Sequence, residues 1–237
     1  MNVIFRCDPA LRETLLRPVP ALQALPDWLR EMPGAAFSDL HGREVRTVKQ
    51  CPPFIDAMRH GFMMRLPCDV NVAQGRFSWD WDLPPLEGET QPRSPLSFHA
   101  PAQVMGSPFA GEDRALIKFN SFWTIELEPG YSLFATHPVN RADLPFRTLS
   151  GMVDSDSFHA VGVLFPAVWT DADFVGTLPA GTPVAQCFPV SRELLTLNFE
   201  DRTRAQVDAY DNVAHALHAT PGEYRRDYRG KRPSSDK

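Results

Sequence analysis

The sequence predicts a mainly β protein with an N-terminal arm and a C-terminal helix. Its 237 residues include 23 prolines, roughly twice the average share, and prolines interrupt helices and mark strand ends and turns. Together with the 16 phenylalanines, these prolines favour many short strands over a helical bundle. The 43% hydrophobic and 22% charged fractions are typical of a globular protein.

We predict three regions along the chain: an N-terminal arm over residues 1–50, a β-rich core over residues 51–200, and a C-terminal helix with a flexible basic tail over residues 201–237. In the arm, "NVIFRC" predicts a strand. "PALQALPDWLREMPG" predicts a short amphipathic helix that Gly34 ends, and we interpret Trp28 as an anchor against the core.

The core begins with a helix signal in "QCPPFIDAMRHGF", because two prolines occupy its first turn and Gly61 follows its apolar face. "FMMRLPCDVNV" predicts extended chain. "RFSWDWDL" alternates aromatic and polar residues, so a strand would carry Phe77, Trp79 and Trp81 on one face. Residues 84–112 are rich in Pro, Gly, Ser and Glu and predict a long connection.

Later segments predict further strands and one long helix. Pro129 and Gly130 suit a type II turn between two strands. "FHAVGVLFPAVW" and "TPVAQCFPV" are further apolar strands. "RAQVDAYDNVAHALHA" places Val207, Tyr210 and Leu217 at helical spacing.

Charge and cysteine usage narrow the class of protein. The net charge of −5 and the pI of about 5.8 disfavour a nucleic-acid-binding protein, which is usually basic. The four cysteines form no CxxC pair, so a zinc ribbon and a disulfide framework are both disfavoured, and we expect reduced, mostly buried thiols. The N-terminus lacks the pattern of a signal peptide, and no apolar run is long enough to span a membrane. We therefore expect a cytoplasmic protein with a small-molecule partner.

Three stretches resemble motifs of the trimeric dUTPase and dCTP deaminase superfamily, which has the β-clip fold. "GMVDSDSFH" is similar to the family's third motif, "GTPVAQ" to its fourth, and "LPCDVNV" to its first. "IELEPGYSLFATHPVNR" is similar to the strand, turn and strand that precede the family's phosphate-binding motif. The resemblance covers residues 66–195 or so and implies a β-clip barrel or sandwich. Other stretches, such as "PDWLREMP", resemble a family of bacterial and phage proteins, and that resemblance implies no particular function.

The dUTPase resemblance implies a nucleotide site. Asp154 takes the place of the general base that activates water, with Mg²⁺ clamping the phosphates. Gln186 matches the glutamine of the fourth motif and Asp69 the aspartate of the first. The family builds its sites between subunits, so the resemblance also implies a homotrimer.

This chain departs from the family pattern at several positions. The phosphate-binding motif is replaced by "HPVNR", where Pro138 removes a donor and His137, Asn140 and Arg141 offer others. The tyrosine of the third motif is Ser157, with Phe158 one position later. The arginine of the fourth motif is Pro183, and the C-terminal tail does not match the family's glycine-rich fifth motif.

The histidines indicate a second kind of site. His99, His137 and His159 lie close to the predicted strands, and two or three imidazoles with a carboxylate from Asp154 or Asp156 are the ligand set of a non-haem iron or zinc site. No HExxH element supports this interpretation.

Three functions therefore remain open: a nucleotide or phosphate-ester hydrolase on a divergent β-clip, an Fe²⁺-dependent oxidoreductase using His99 and His137, and a non-catalytic binding or assembly protein. We rank the hydrolase first. Its expected site has two catalytic residues, Asp154 and His137. Six residues are expected to bind the substrate: Asp69, Asn140, Arg141, Asp156, Phe158 and Gln186.

Overall fold

The computed structural model describes residues 1–84, 86, 92–111 and 115–230. It confirms a mainly β protein. The strands are β1 Ile4–Arg6, β2 Val19–Pro20, β3 Ala35–Ser38, β4 Arg43–Arg46, β5 Phe62–Arg65, β6 Val70–Ala73, β7 Arg76–Ser78, β8 Leu96–Phe98, β9 Leu116–Asn120, β10 Thr124–Glu126, β11 Tyr131–Thr136, β12 Phe146–Thr148, β13 Gly151–Val153, β14 Leu164–Trp169, β15 Gly176–Leu178 and β16 Pro183–Ser191. The α-helices are α1 Asp27–Glu31, α2 Pro52–Arg59 and α3 Arg204–Ala219.

The chain divides into two compact units. The first comprises residues 1–32 and 56–193, and the second comprises residues 33–55 and 194–237. Within the described part of the chain, no helix has the length and apolar character needed to cross a membrane.

The first unit is organised around a five-stranded antiparallel sheet in the order β13-β11-β16-β5-β2. β11 and β16 pair over six residues, from Tyr131 opposite Ser191 to Thr136 opposite Gln186. A four-stranded antiparallel sheet has the order β12-β14-β9-β8. Among the described residues, no sheet closes into a barrel.

One apolar core holds the sheets of the first unit together. Phe119 and Phe146 are among its largest fully buried side chains, and their ring centroids lie 4.7 Å apart. Alternating burial along β6 follows from the two-residue period of a strand, which points every second side chain inward. β16 instead has four consecutive buried residues, Val184 to Cys187. A smaller cluster of Leu11, Leu15, Leu83 and Phe122 packs nearby in the same unit.

The second unit contains the hairpin of β3 and β4 and the long helix α3. Thr203 begins α3 with a capping box, in which its hydroxyl accepts the Gln206 N–H while Gln206 Oε1 accepts the Thr203 N–H at 2.8 Å. None of the side chains of α3 is fully buried. α3 is therefore held by its cap and by a partly buried stripe rather than by a core.

Two helix predictions are confirmed, since α3 has the predicted bounds and α2 begins at the predicted prolines. The turn at Pro129 and Gly130 is also confirmed, because Gly130 has φ +87° and the Tyr131 N–H donates to the Glu128 carbonyl.

Other predictions are only partly correct. The predicted strand "RFSWDWDL" ends at Ser78, since Trp81 turns to pack edge-to-face on Phe122, in the smaller cluster. The predicted connection over residues 84–112 contains strand β8, and residues 85, 87–91 and 112 of it lie outside the described residues. In the basic tail, Tyr224–Tyr228 form a helical turn, and residues 231–237 lie outside the described residues.

The four thiols are free and differ in burial. Cys68 and Cys187 are buried, Cys7 is half-buried and Cys51 is exposed. Burial, with a smaller contribution from the charge of Asp69, raises the pKa of Cys68 to about 11. Burial raises the pKa of Cys187 as well. The prediction of mostly buried thiols is therefore confirmed for Cys68 and Cys187, and it is wrong for Cys51.

Gly61 joins α2 to β5 in a backbone conformation that other residues rarely adopt. Its φ is +73°, and a Cβ atom placed there would lie 2.1 Å from the Cys187 carbonyl oxygen. We expect Gly61→Ala to lower the free energy of unfolding at least ~2 kcal/mol more than Gly75→Ala does. Gly75 has a similar φ of +70° but open space around its Cα. The Gly75→Ala variant therefore measures the cost of the backbone conformation alone, about 1–2 kcal/mol. Urea unfolding of both variants tests this, and equal losses would contradict it.

Candidate functional site

The loop that follows β11 is a tight turn that carries Arg141. The Arg141 N–H donates to the Pro138 carbonyl at 3.1 Å, and Asn140 has a left-handed φ of +59°. Asparagine tolerates this conformation better than most residues do. Asn140 therefore shapes the turn through its backbone.

Gln186 fixes this loop from inside the protein. Its side chain is fully buried and lies on β16 opposite the end of β11. Its Oε1 accepts the Val139 N–H at 2.9 Å, and its Nε2 donates to the carbonyls of Ala57 and His60 at 2.9 and 2.7 Å. The amide therefore joins the loop after β11 to the last turn of α2 and to His60, which follows that helix.

His137 supports the same loop with both ring nitrogens. Its Nδ1 accepts the Thr148 N–H at 3.2 Å, so in the neutral ring Nε2 carries the proton and donates to the Arg141 carbonyl at 2.8 Å. Burial lowers the pKa of His137 and outweighs the opposing effect of the bond to Arg141. His137 thus positions the backbone of Arg141 in this structure.

Arg141 forms a two-point ion pair with Asp143. Its Nε lies 2.9 Å from Oδ1, and its Nη2 lies 2.8 Å from Oδ2. Burial acts to raise the pKa of Asp143, but the bonds and charge of Arg141 outweigh it and hold that pKa below its usual range. Trp28 Nε1 also donates to Asp143 Oδ1 at 3.3 Å. The pair therefore neutralises Arg141 and orients the indole of Trp28.

A cleft opens beside this ion pair. It has a volume of about 570 Å³, within the range of small-molecule sites, and a second cavity of about 480 Å³ adjoins it. Both are lined by Arg141, Asp143, Gly181 and Pro183. The walls of the first also include Gln23, Leu25, Pro26, Asp27, Trp28 and Arg65. We call this space the Trp28 cleft.

Arg65 is the distinctive charge of the Trp28 cleft. Its Nε and Nη2 donate to the Arg17 carbonyl at 3.0 and 2.5 Å. No carboxylate of the described residues forms an ion pair with it, whereas Arg141 in the same cleft is neutralised by Asp143. Burial lowers the pKa of the Arg65 guanidinium, because partial desolvation disfavours its charge. An anion beside Arg65 would offset that cost.

The acid pair of "SGMVDSDSF" lies elsewhere in the first unit. Asp156 accepts the Gly130 N–H at 2.9 Å and pairs with Arg192 through both guanidinium nitrogens, which holds its pKa well below its usual range. Asp154 accepts the Ser132 hydroxyl at 2.5 Å and lies 3.5 Å from Arg192. The Asp154 side chain is 63% exposed and that of Asp156 only 9%. Asp156 is thus a structural partner of the turn, and Asp154 faces solvent.

The structure does not bring Asp154 and Arg141 together within one chain. Asp154 contacts Ser132 near the first residue of β11, and the loop carrying Arg141 follows the last residue, Thr136. Four residues of extended chain separate Ser132 from Thr136, which corresponds to about 13 Å. The predicted base and the predicted phosphate clamp therefore lie at opposite ends of one strand.

Two other residues that were predicted to bind the substrate, Asp69 and Phe158, do not line the Trp28 cleft. Asp69 is exposed, and its Oδ1 accepts the Ala180 N–H at 2.6 Å, so it fixes the turn before β16. Phe158 is exposed beyond β13, and its N–H donates to the Asp154 carbonyl.

The histidines predicted to bind a metal are likewise separated. His99 follows β8 and contacts Gln103 Oε1 at 3.1 Å, whereas His137 bonds to Thr148 on β12. β8 and β12 are opposite edges of the four-stranded sheet, three interstrand spacings or about 14 Å apart. Among the residues that the structure describes, no group of three or more His, Cys, Asp or Glu side chains could hold a metal ion. The iron site stays a prediction.

Arg65 and Arg192 are the site residues that sequence reasoning missed. Arg65 ends the apolar run "FMMR", and a charged residue directly after three buried ones was a usable signal. Arg192 follows β16 and gave no comparable signal, because its pairing with Asp156 joins residues 36 positions apart.

Comparison with known proteins adds no family to this geometry: no protein-family model matches the chain, and no curated protein matches it.

The neutral state of His137 predicts a pH dependence of stability. Because its folded pKa is lowered, the unfolded chain binds the proton more readily, and stability falls as the pH drops through the unfolded value of about 6.5. We expect the free energy of unfolding of the wild type to fall more steeply between pH 7 and pH 5 than that of His137→Gln. His41→Gln, at an exposed histidine of the hairpin turn, should keep the wild-type slope. Denaturant titrations at several pH values measure these slopes, and equal slopes for His137→Gln and wild type would contradict the assignment.

Proposed function

We propose that the protein binds a small anionic molecule, a phosphate or carboxylate compound, in the Trp28 cleft, with Arg65 as the anion-binding residue. The observation that carries the proposal is a partly desolvated guanidinium that faces a cleft of about 570 Å³ and has no carboxylate partner among the described residues. Arginine suits this role because its planar donors match the oxygens of phosphates and carboxylates.

The walls of the cleft indicate the rest of the ligand. Trp28 is held by its bond to Asp143, and Leu25 and Pro26 line the cleft beside it. An aromatic wall next to a cation favours a ligand that carries an apolar or planar group as well as its charge. Gln23 adds an amide that can donate or accept one hydrogen bond.

The loop network keeps this cleft in a fixed shape before any ligand binds. His137 and Gln186 bond the backbone of the loop, and the loop presents Arg141 to Asp143 and so orients Trp28. A site that is already ordered loses little conformational entropy on binding. In this proposal His137, Asn140, Arg141 and Gln186 are positioning residues of the site.

Isothermal titration calorimetry with four probes tests the proposal: inorganic phosphate, a nucleoside monophosphate, a dicarboxylate and an uncharged nucleoside. We expect an anionic probe to bind the wild type and Arg65→Gln to weaken that binding at least about tenfold, because a charge-assisted hydrogen bond contributes ~1.5–3 kcal/mol. Arg65→Lys should retain part of the affinity because it keeps the charge.

Arg76→Gln is the matched control, since Arg76 is an exposed arginine of β7 in the same unit. It should bind the probe as the wild type does. Equal weakening in Arg65→Gln and Arg76→Gln would show non-specific attraction to the surface, and no binding of any anion would remove the proposal. The phosphate and carboxylate probes distinguish the two ligand classes.

Hydrolysis of a nucleotide or phosphate ester on a β-clip-like fold, with Asp154 as general base and Mg²⁺ as cofactor, is a second candidate. Its support is the 63% exposure of the Asp154 side chain, which leaves the carboxylate accessible to a substrate and to a water molecule. The Ser132 hydroxyl and Arg192 already occupy part of this carboxylate, and its distance from Arg141 requires another source of phosphate-binding groups. For these reasons we rank hydrolysis below binding.

Release of pyrophosphate or phosphate from a panel of nucleoside triphosphates with Mg²⁺ tests this candidate. Hydrolysis by Asp154 predicts that Asp154→Ala loses at least about 100-fold in rate, while Asp80→Ala, at an exposed aspartate of the same unit, keeps the wild-type rate. No release from any nucleotide would reject hydrolysis and leave the binding proposal unaffected.

A further inference from the structure

The segment between β16 and α3 exposes four large apolar side chains. Leu194, Leu195, Leu197 and Phe199 are 97%, 89%, 72% and 90% exposed, and we call Leu194–Phe199 the leucine segment. It has no regular secondary structure. In an extended chain, side chains two residues apart share a face, so Leu195, Leu197 and Phe199 would form one apolar stripe.

Such a stripe is costly to leave in water. Burying a Leu or Phe side chain contributes ~1.5–3 kcal/mol, and contiguous apolar patches on a surface mark interaction sites. Val207 and Tyr210 on the first turns of α3 are exposed as well. The apolar surface of the leucine segment therefore continues onto α3 in the same unit.

A groove in the first unit is large and apolar enough to bind an extended apolar segment. Two cavities of about 890 and 600 Å³ share Arg6, Cys7 and Pro9 in their linings. Their apolar walls include Phe5, Trp123, Val161 and Leu164. We call the two cavities together the arginine groove, because three arginines, Arg6, Arg12 and Arg17, line the smaller one, which has no carboxylate in its lining.

The charges beside the leucine segment are opposite in sign to the arginines of the groove. Glu193 precedes the leucine segment, and Glu200 and Asp201 follow it. In the groove, Arg6 pairs with Glu126, whereas Arg12 and Arg17 are exposed and form no ion pair with a carboxylate of the described residues. The acidic ends of the segment thus complement the free arginines of the groove.

A membrane surface fits the leucine segment poorly. Membrane-binding segments carry Lys and Arg beside their apolar residues, because the lipid surface is anionic. Residues 193–211 contain five acids and two arginines. Every copy of the chain, in contrast, carries the exposed Arg12 and Arg17 in the smaller cavity of the groove, while Asp8 and Glu126 line the larger one.

We propose that the leucine segment of one copy packs into the arginine groove of a second copy, so that the protein self-associates. The apolar stripe of Leu195, Leu197 and Phe199 contacts the apolar wall of the groove, and the flanking acids contact Arg12 and Arg17. Among the described strands β1 pairs with β10 alone, so it offers the segment a strand edge along the groove.

Sedimentation equilibrium of the full chain over a range of concentrations is the first test. We expect the wild type to associate, and Leu195→Glu with Leu197→Glu to raise the dissociation constant at least about tenfold. Leu40→Glu is the matched control, because Leu40 is 90% exposed but lies in the hairpin turn of β3 and β4, and it should associate as the wild type does. Since all three leucines are exposed, circular dichroism should show unchanged folding.

Disulfide trapping tests the groove itself. Cys7 lines it, so Phe199→Cys in a Cys51→Ser background should form an intermolecular disulfide on mild oxidation, and Cys7→Ser should abolish it. A wild type that stays monomeric at every concentration would overturn the proposal. So would association that survives the double glutamate variant, or a disulfide that forms without Cys7.

Discussion

The buried amide of Gln186 is the interaction on which the arrangement of the first unit depends. It has three backbone partners, Val139, Ala57 and His60, which come from two segments distant in sequence. A backbone group buried without a partner costs roughly 1–3 kcal/mol, so these segments are held to the sheet by the need to satisfy their polar groups. An apolar side chain at this position would remove all three of these bonds. The helix-to-strand connection and the loop of Arg141 therefore share Gln186 as a support, and His137 is a second support of the loop.

That dependence reaches the Trp28 cleft through a chain of polar contacts. Gln186 and His137 hold the loop, the loop presents Arg141, Arg141 holds Asp143, and Asp143 orients Trp28. Each of these groups is satisfied by its neighbour, which leaves Arg65 as the cation available to a ligand, while the exposed carboxylate of Asp27 also lines the cleft. The structure thus separates the residues that shape the site from the residue proposed to bind.

Sequence patterns predicted the local structure well where a period or a cap decides it. The helical spacing of α3 and the prolines at the start of α2 are local signals, and both helices have the expected starts. The strand "RFSWDWDL" was predicted too long, because the packing of Trp81 on Phe122 joins residues 41 positions apart. Pairings of that kind cannot be inferred from the period of a single segment.

The site was predictable only in part for the same reason. The sequence placed His137, Asn140 and Arg141 in one site with Asp154, and Gln186 among the residues that bind the substrate. The structure unites His137, Asn140, Arg141 and Gln186, although as supports of a loop rather than as groups that surround a ligand. The sequence also singled out Asp154 and His99, and the lengths of a strand and the width of a sheet keep these apart from the others. Motif order along a chain does not specify which end of a strand a residue occupies.

Because the cysteines differ in burial, their rates of thiol labelling can measure local opening of the folded protein. Cys51 is exposed, so we expect a thiol reagent to label it in the folded protein. Cys187 is buried on β16, between β11 and β5, and we expect the reagent to reach it only when β16 separates from these neighbours. The ratio of the two labelling rates therefore measures the free energy of opening that sheet under native conditions. Any ligand that binds only the folded first unit must slow the labelling of Cys187 by mass action, while that of Cys51 serves as an internal standard.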